Sequence, residues 1–76
     1  PSSGFTVSFA ALLSEEKARE IASLIKVNGN PAHVVSTTTA GSPIFRVVMG
    51  PFPTRDEADK VGRAARHEYW IYEGSP

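Results

Sequence analysis

The chain has 76 residues, 41% of them hydrophobic, and its eight basic side chains balance eight acidic ones. This suits one domain with one small core and is too apolar for a disordered segment. Zero formal charge counts against a nucleic-acid partner, the absence of cysteine excludes a disulfide framework and a zinc–cysteine site, and no apolar run is long enough to span a membrane.

In chain order, residues 1–4 (PSSG) read as a linker. The missing Met there reads as a module cut from a larger protein, and no signal peptide is visible. Residues 5–10 alternate, with Phe5, Val7 and Phe9 against Thr6, Ser8 and Ala10, which predicts a strand with its aromatic–aliphatic face in the core. Ser14 is a good N-cap for a first helix, and Glu15 and Glu16 suit its positive end. Ala18, Ile21, Ala22 and Ile25 form its buried stripe, widened by Leu24. Gly29 reads as the residue that ends the helix, with Pro31 blocking its continuation. Residues 32–37 predict a second strand, with Ala32 and Val34 inward and His33 and Val35 outward. Residues 38–43 (TTAGSP) predict a polar hairpin loop.

The third strand covers residues 44–49. Phe45, Val47 and Met49 share one face, Ile44, Arg46 and Val48 the other, and Gly50-Pro51 is expected to end it. Thr54 caps a second helix, and Glu57 completes a T-x-x-E capping box. That helix spans residues 55–66 and buries Ala58, Val61, Gly62 and Ala65. Gly62 costs about 1 kcal/mol relative to Ala, which predicts close approach to the sheet or the first helix. A fourth strand covers residues 69–73, with Ile71 inward and Trp70 and Tyr72 on the opposite face. Residues 74–76 read as a tail, leaving 5–73 as one domain.

A shift of forty residues lays Phe9 on Met49, Leu12 on Phe52, Ser14 on Thr54, Ala18 on Ala58 and Ile21 on Val61. Such a short repeat indicates a pseudo-symmetric single domain, because one βαβ unit cannot bury its own face. The order βαββαβ predicts an α+β, ferredoxin-like (RNP-like) fold, a four-stranded antiparallel sheet with two helices on one face. The expected core is Phe5, Val7, Phe9, Ile21, Ile25, Val34, Phe45, Val47, Met49, Phe52, Val61 and Ile71. The uncovered face is expected to display Thr6, Ser8, Ala10, His33, Val35, Arg46, Val48, Trp70 and Tyr72.

Three stretches, FTVSFAALLSEEKA, NGNPAHVV and FRVVMGPFPTRDEA, resemble the SPOR (sporulation-related repeat) domain family. The last is the most specific, with its R-V-x-x-G-P-F-x-S/T-x-x-x-A pattern, and the resemblance runs from about Phe5 to Tyr72. It implies a non-catalytic βαββαβ module of a bacterial envelope protein that binds peptidoglycan. The implied ligand is a glycan strand stripped of stem peptides at the division septum, lying on the open sheet face over Ser8, Arg46 and Trp70. The family's first strand usually reads V-Q-V-G-S/A-F, whereas this chain has Ser8 in place of the Gln and Ala10 in place of the Gly.

On that face, Trp70 is a sugar platform or a tryptophan packed at the sheet edge, with Tyr72 a weaker second aromatic. Arg46 suits the lactyl carboxylate of stripped muramic acid, or is a solvated arginine with a cross-strand partner. His33 stands on the same face, an imidazole that could assist Arg46 or a plain surface histidine, and Val48 completes the candidate set with Ser8. Asp56, Glu57 and Asp59, with Lys60 and Arg63, read as a solvated helix face; no His lies at metal-ligand spacing. His67 reads as a cation at the helix end.

Enzyme readings lack a Cys nucleophile, a Ser–His–carboxylate pattern and an arginine-bearing phosphate loop after the first strand. An RNA reader of the same topology would carry aromatic residues where Arg46-Val47-Val48-Met49 stands, and a small-ligand or protein-interaction module remains a third class. The expectation is therefore a monomeric glycan-binding module with no cofactor, no nucleic acid and no membrane contact of its own.

Overall fold

The computed structural model describes residues 4–74. The chain runs β1 (Phe5–Leu12), α1 (Glu15–Leu24), two short strands β2 (Lys26–Val27) and β3 (Asn30–Pro31), then β4 (His33–Thr39), β5 (Ser42–Phe52), α2 (Arg55–Ala64) and β6 (Trp70–Glu73). Strands β4, β5, β1 and β6 form one sheet in that order, every neighbouring pair antiparallel. With its two helices this is the expected α+β, ferredoxin-like arrangement.

The forty-residue repeat has a physical form. Ser14 and Thr54 are both extended, and each side chain accepts from the N–H three residues on, at 3.3 and 3.1 Å. Acidic residues follow in each first turn, where the helix dipole favours them. Ala18 and Ala58, also forty apart, are fully buried. A small residue there lets each helix approach the central strands closely.

Val7, Met49 and Ile71 lie opposite one another in register on β1, β5 and β6. With Phe9, Val47, Ala18, Ala22, Ile25 and Ala58, Val7 and Met49 belong to one buried cluster, so both helices cover the same face. Phe5, Ile21, Val34, Phe45, Phe52, Val61 and Ile71 pack against it. Each large side chain fully buried there contributes roughly 1.5–3 kcal/mol.

Several local expectations need correction. Helix α1 ends at Leu24, which is 83% exposed and widens no stripe. Gly29 does not end the helix. Asn28 and Gly29, with φ of 54° and 82°, form the two-residue turn between β2 and β3. Ala40 and Gly41, at 52° and 82°, form a second such turn. Two successive left-handed residues give the turn whose twist matches the flanking strands. The expected six-residue loop thus shrinks to two, and β4 pairs with β5 without a slip from His33–Val48 to Thr39–Ser42. The β-branched threonines behave as strand residues, not loop residues.

Strand β5 also does not end at Gly50-Pro51. It passes through that cis peptide to Phe52, which pairs with Phe5. Strand β4 pairs with β5 only as far as Val48, so on that side Pro51 interrupts no ladder. On β1, Ser8 pairs with Val48 but Ala10 pairs with Val47. The bulge at Phe9 turns Ala10 to the core side and brings Ala11, not Ala10, to the open face beside Arg46. Helix α2 stops at Ala64, and the close approach at Gly62 is to the ring of Tyr69, not to the sheet or α1.

Residues 1–3, 75 and 76 of the expected linker and tail lie outside the described residues. Gly4 and Gly74 are bonded parts of the sheet end. The Gly74 N–H donates to Gly4 O at 2.7 Å, and Thr6 Oγ1 donates to Gly74 O at 2.6 Å.

Candidate ligand-binding face

Antiparallel register fixes which side chains stand side by side on the face opposite the helices. One row crosses all four strands as Trp70, Ser8, Val48 and His33. Beside it lie Ala11, Arg46 and Val35 in a second row, and Tyr72 opposite Thr6 in a third. At about 4.8 Å between strands, the first row spans roughly 14 Å. All six sequence-predicted residues, Ser8, His33, Arg46, Val48, Trp70 and Tyr72, therefore share one face.

Their exposure differs from the expectation. His33 is exposed, Trp70 is 49% exposed, and Arg46 and Tyr72 are half-buried. Ser8 and Val48, expected on display, have no exposed surface, and neither has Thr6. For Ser8 and Thr6 the reason is side-chain size. Small residues of β1 stand in register beside Trp70 and Tyr72 of β6, and a large side chain shades a small neighbour whose Cβ is about 5 Å away. The face is a shaded floor with an aromatic wall along one edge.

The polar groups on it are unevenly satisfied. The Thr6 hydroxyl has its bond to Gly74 O, whereas Ser8 Oγ is buried without a hydrogen-bond partner. Arg46 has no carboxylate partner among the described residues. Its register neighbours, Ala11 and Val35, are uncharged, so the register supplies no cross-strand ion pair for this arginine.

Some of the charges on the helices have structural partners. Asp59 pairs with Arg63 one turn on, at 2.9 Å, and accepts from the Tyr69 hydroxyl at 2.6 Å. That accepting carboxylate holds the Tyr69 phenol above its ordinary pKa. His67 lies beyond the end of α2: its ring stands edge-on to Phe9 at 6.1 Å, and Nδ1 lies 2.8 Å from Glu68 O. Among the described residues no group of His, Asp and Glu is placed to hold a metal. A separate cleft of about 370 Å³ opens between the Asn28-Gly29 turn and β5 at Met49–Phe52, with His33 on its rim. Sequence reasoning missed this cleft because it follows from the position of the β2–β3 hairpin.

The family model described as SPOR domain matches residues 1–69. The chain belongs to the SPOR domain family. These domains bind peptidoglycan and occur in bacterial envelope proteins. No curated protein and no solved structure matches the chain. The matched span of this SPOR domain includes β1, β4 and β5 and stops one residue before Trp70. No helix among its described residues is long and apolar enough to cross a membrane.

Proposed function

We propose that this SPOR domain binds peptidoglycan glycan strands, denuded of stem peptides, on its open sheet face. It acts as a monomer and without catalysis, cofactor, nucleic acid or membrane contact of its own, and it targets a larger envelope protein to the division septum. The observation that carries this reading is the cross-sheet row ending in the half-exposed Trp70, with the carboxylate-free Arg46 in the next row. The indole face suits the apolar C–H face of a pyranose. The guanidinium suits the lactyl carboxylate that muramic acid keeps once its peptide is removed.

Stem peptides would prevent a strand from lying flat across the row. Sacculi treated with amidase should therefore retain more domain in a sedimentation assay than intact sacculi. Equal retention on both would remove the denuded-glycan reading, and stronger binding to RNA than to either would replace it.

Arg46→Ala should weaken binding to amidase-treated sacculi by about 1.5–3 kcal/mol, the range for hydrogen bonds to charged groups, or roughly tenfold to 150-fold. It should also flatten the salt dependence of binding, since the screened charge is gone. Unchanged affinity with an unchanged salt response would make Arg46 a bystander.

A further inference from the structure

The cleft beside β5 has a definite origin. Strand β4 begins at His33 and pairs with β5 only as far as Val48. Residues 49–52 of β5 therefore keep β1 as their one partner strand, and the β2–β3 hairpin stands across the gap without pairing to them. The edge of β5 that faces the gap carries backbone N–H and C=O groups that no ladder takes up.

The buried Val27 and Met49, with the half-buried Val61, give the cleft an apolar floor. Asn28 and Asn30 stand at its hairpin side, exposed, and neither side-chain amide has a hydrogen-bond partner among the described residues. No Lys, Arg, Asp or Glu lines it. An apolar concavity of about 370 Å³ with a few convergent polar groups has the form of a small-ligand site.

We propose that this cleft is a sugar subsite outside the open sheet face, and that it holds an N-acetylated hexosamine by its acetamide group. The uncharged lining favours a neutral ligand that both donates and accepts. An extended peptide fits poorly, because Pro51 on β5 and Pro31 on β3 remove ladder donors from both sides of the gap. An acetamide offers a methyl group to the apolar floor. It also offers one N–H and one C=O to the asparagine amides and the open edge of β5. His33 is both the last residue of the cross-sheet row and part of the cleft rim, so a strand lying along the row from Trp70 meets the cleft at that end. That glycan is the source of the sugar rests on the reading of the open face given above.

The test is a titration of the isotope-labelled domain followed by the backbone and side-chain amide resonances. N,N′-diacetylchitobiose is the probe, and cellobiose, which has the same linkage without acetamide groups, is the control. Diacetylchitobiose should shift Gly50, Phe52 and the side-chain amides of Asn28 and Asn30, and cellobiose should not. Asn30→Ala, at an exposed position, should leave the fold intact and weaken this binding about twofold to tenfold, the loss of one neutral hydrogen bond. Val61→Phe, which fills the floor, should weaken it further. No shift at the cleft, equal shifts with cellobiose, or affinity unchanged in both variants would overturn the subsite. Shifts confined to Trp70 and Tyr72 would overturn it too while supporting the open face. Shifts at the cleft, with amidase-treated sacculi failing to retain the domain, would keep the subsite and remove the open-face reading.

Discussion

Trp70→Ala is expected to remove most of the retention on amidase-treated sacculi while leaving the domain folded. Tryptophan is the side chain most often found at energetic hot spots of binding surfaces, where truncation costs about 2 kcal/mol or more, at least roughly thirtyfold. Trp70 is the large apolar side chain that stays 49% exposed on the face opposite the helices. The stability effect should be smaller. About half of its surface is already in water, and at about 25 cal/mol per Å² losing the burial of the rest amounts to about 1–2 kcal/mol. A fully buried Trp would cost about 3–5 kcal/mol. As the chain's single tryptophan, it reports its own environment by fluorescence. A soluble quencher should reach it partly in the free domain and less in the glycan complex. A destabilisation as large as that of a core residue, with binding intact after correction for the unfolded fraction, would make Trp70 structural.

The element order, both helix starts and the full expected core were readable because each depends on short-range patterns. Alternation around Val7 and Val47 sets two faces, and a hydroxyl at Ser14 or Thr54 with acidic residues behind it sets a helix start. The missed features depend on longer-range geometry or on rarer backbone choices. Asn28-Gly29 is a strong hairpin signal, but the same Gly also suits a helix end, and nothing local separates the two. Ala40 at positive φ carries no turn signature at all. The bulge at Phe9 leaves the alternation of β1 intact in sequence while shifting its outer half by one residue. All six candidate site residues were placed on one face by alternation alone. That Ser8 lies hidden there follows from its register with Trp70, sixty-two residues on in sequence. Side-chain size in one strand thus determines exposure in another, and no window of the sequence contains both.

The same kind of long-range contact determines the effect of Gly62→Ala, which should destabilise the domain although it improves helix propensity. Replacing Gly by Ala inside α2 gains about 1 kcal/mol of propensity. Against this, a Cβ at position 62 would press on Cγ, Cδ2 and Cε2 of the Tyr69 ring, closer than carbon atoms pack, so something must shift. Either the ring leaves or the helix shifts, and forced overpacking of this kind costs about 1–3 kcal/mol. If the ring leaves, the Tyr69–Asp59 bond at 2.6 Å goes with it, at about 1 kcal/mol for a part-exposed pair. The opposing terms outweigh the gain, so a net loss of about 1–3 kcal/mol is expected, a drop in midpoint of several degrees in a domain this small. Two controls separate the terms. In a Tyr69→Ala background the obstruction is gone, and Gly62→Ala should become stabilising by up to about 1 kcal/mol. In the single variant the displaced Tyr69 phenol should titrate closer to its ordinary pKa, because the Asp59 carboxylate that raises it no longer accepts its proton. A Gly62→Ala domain as stable as the wild type, with the Tyr69 titration unmoved, would show that α2 slides off the ring at no cost and that Gly62 is there for another reason.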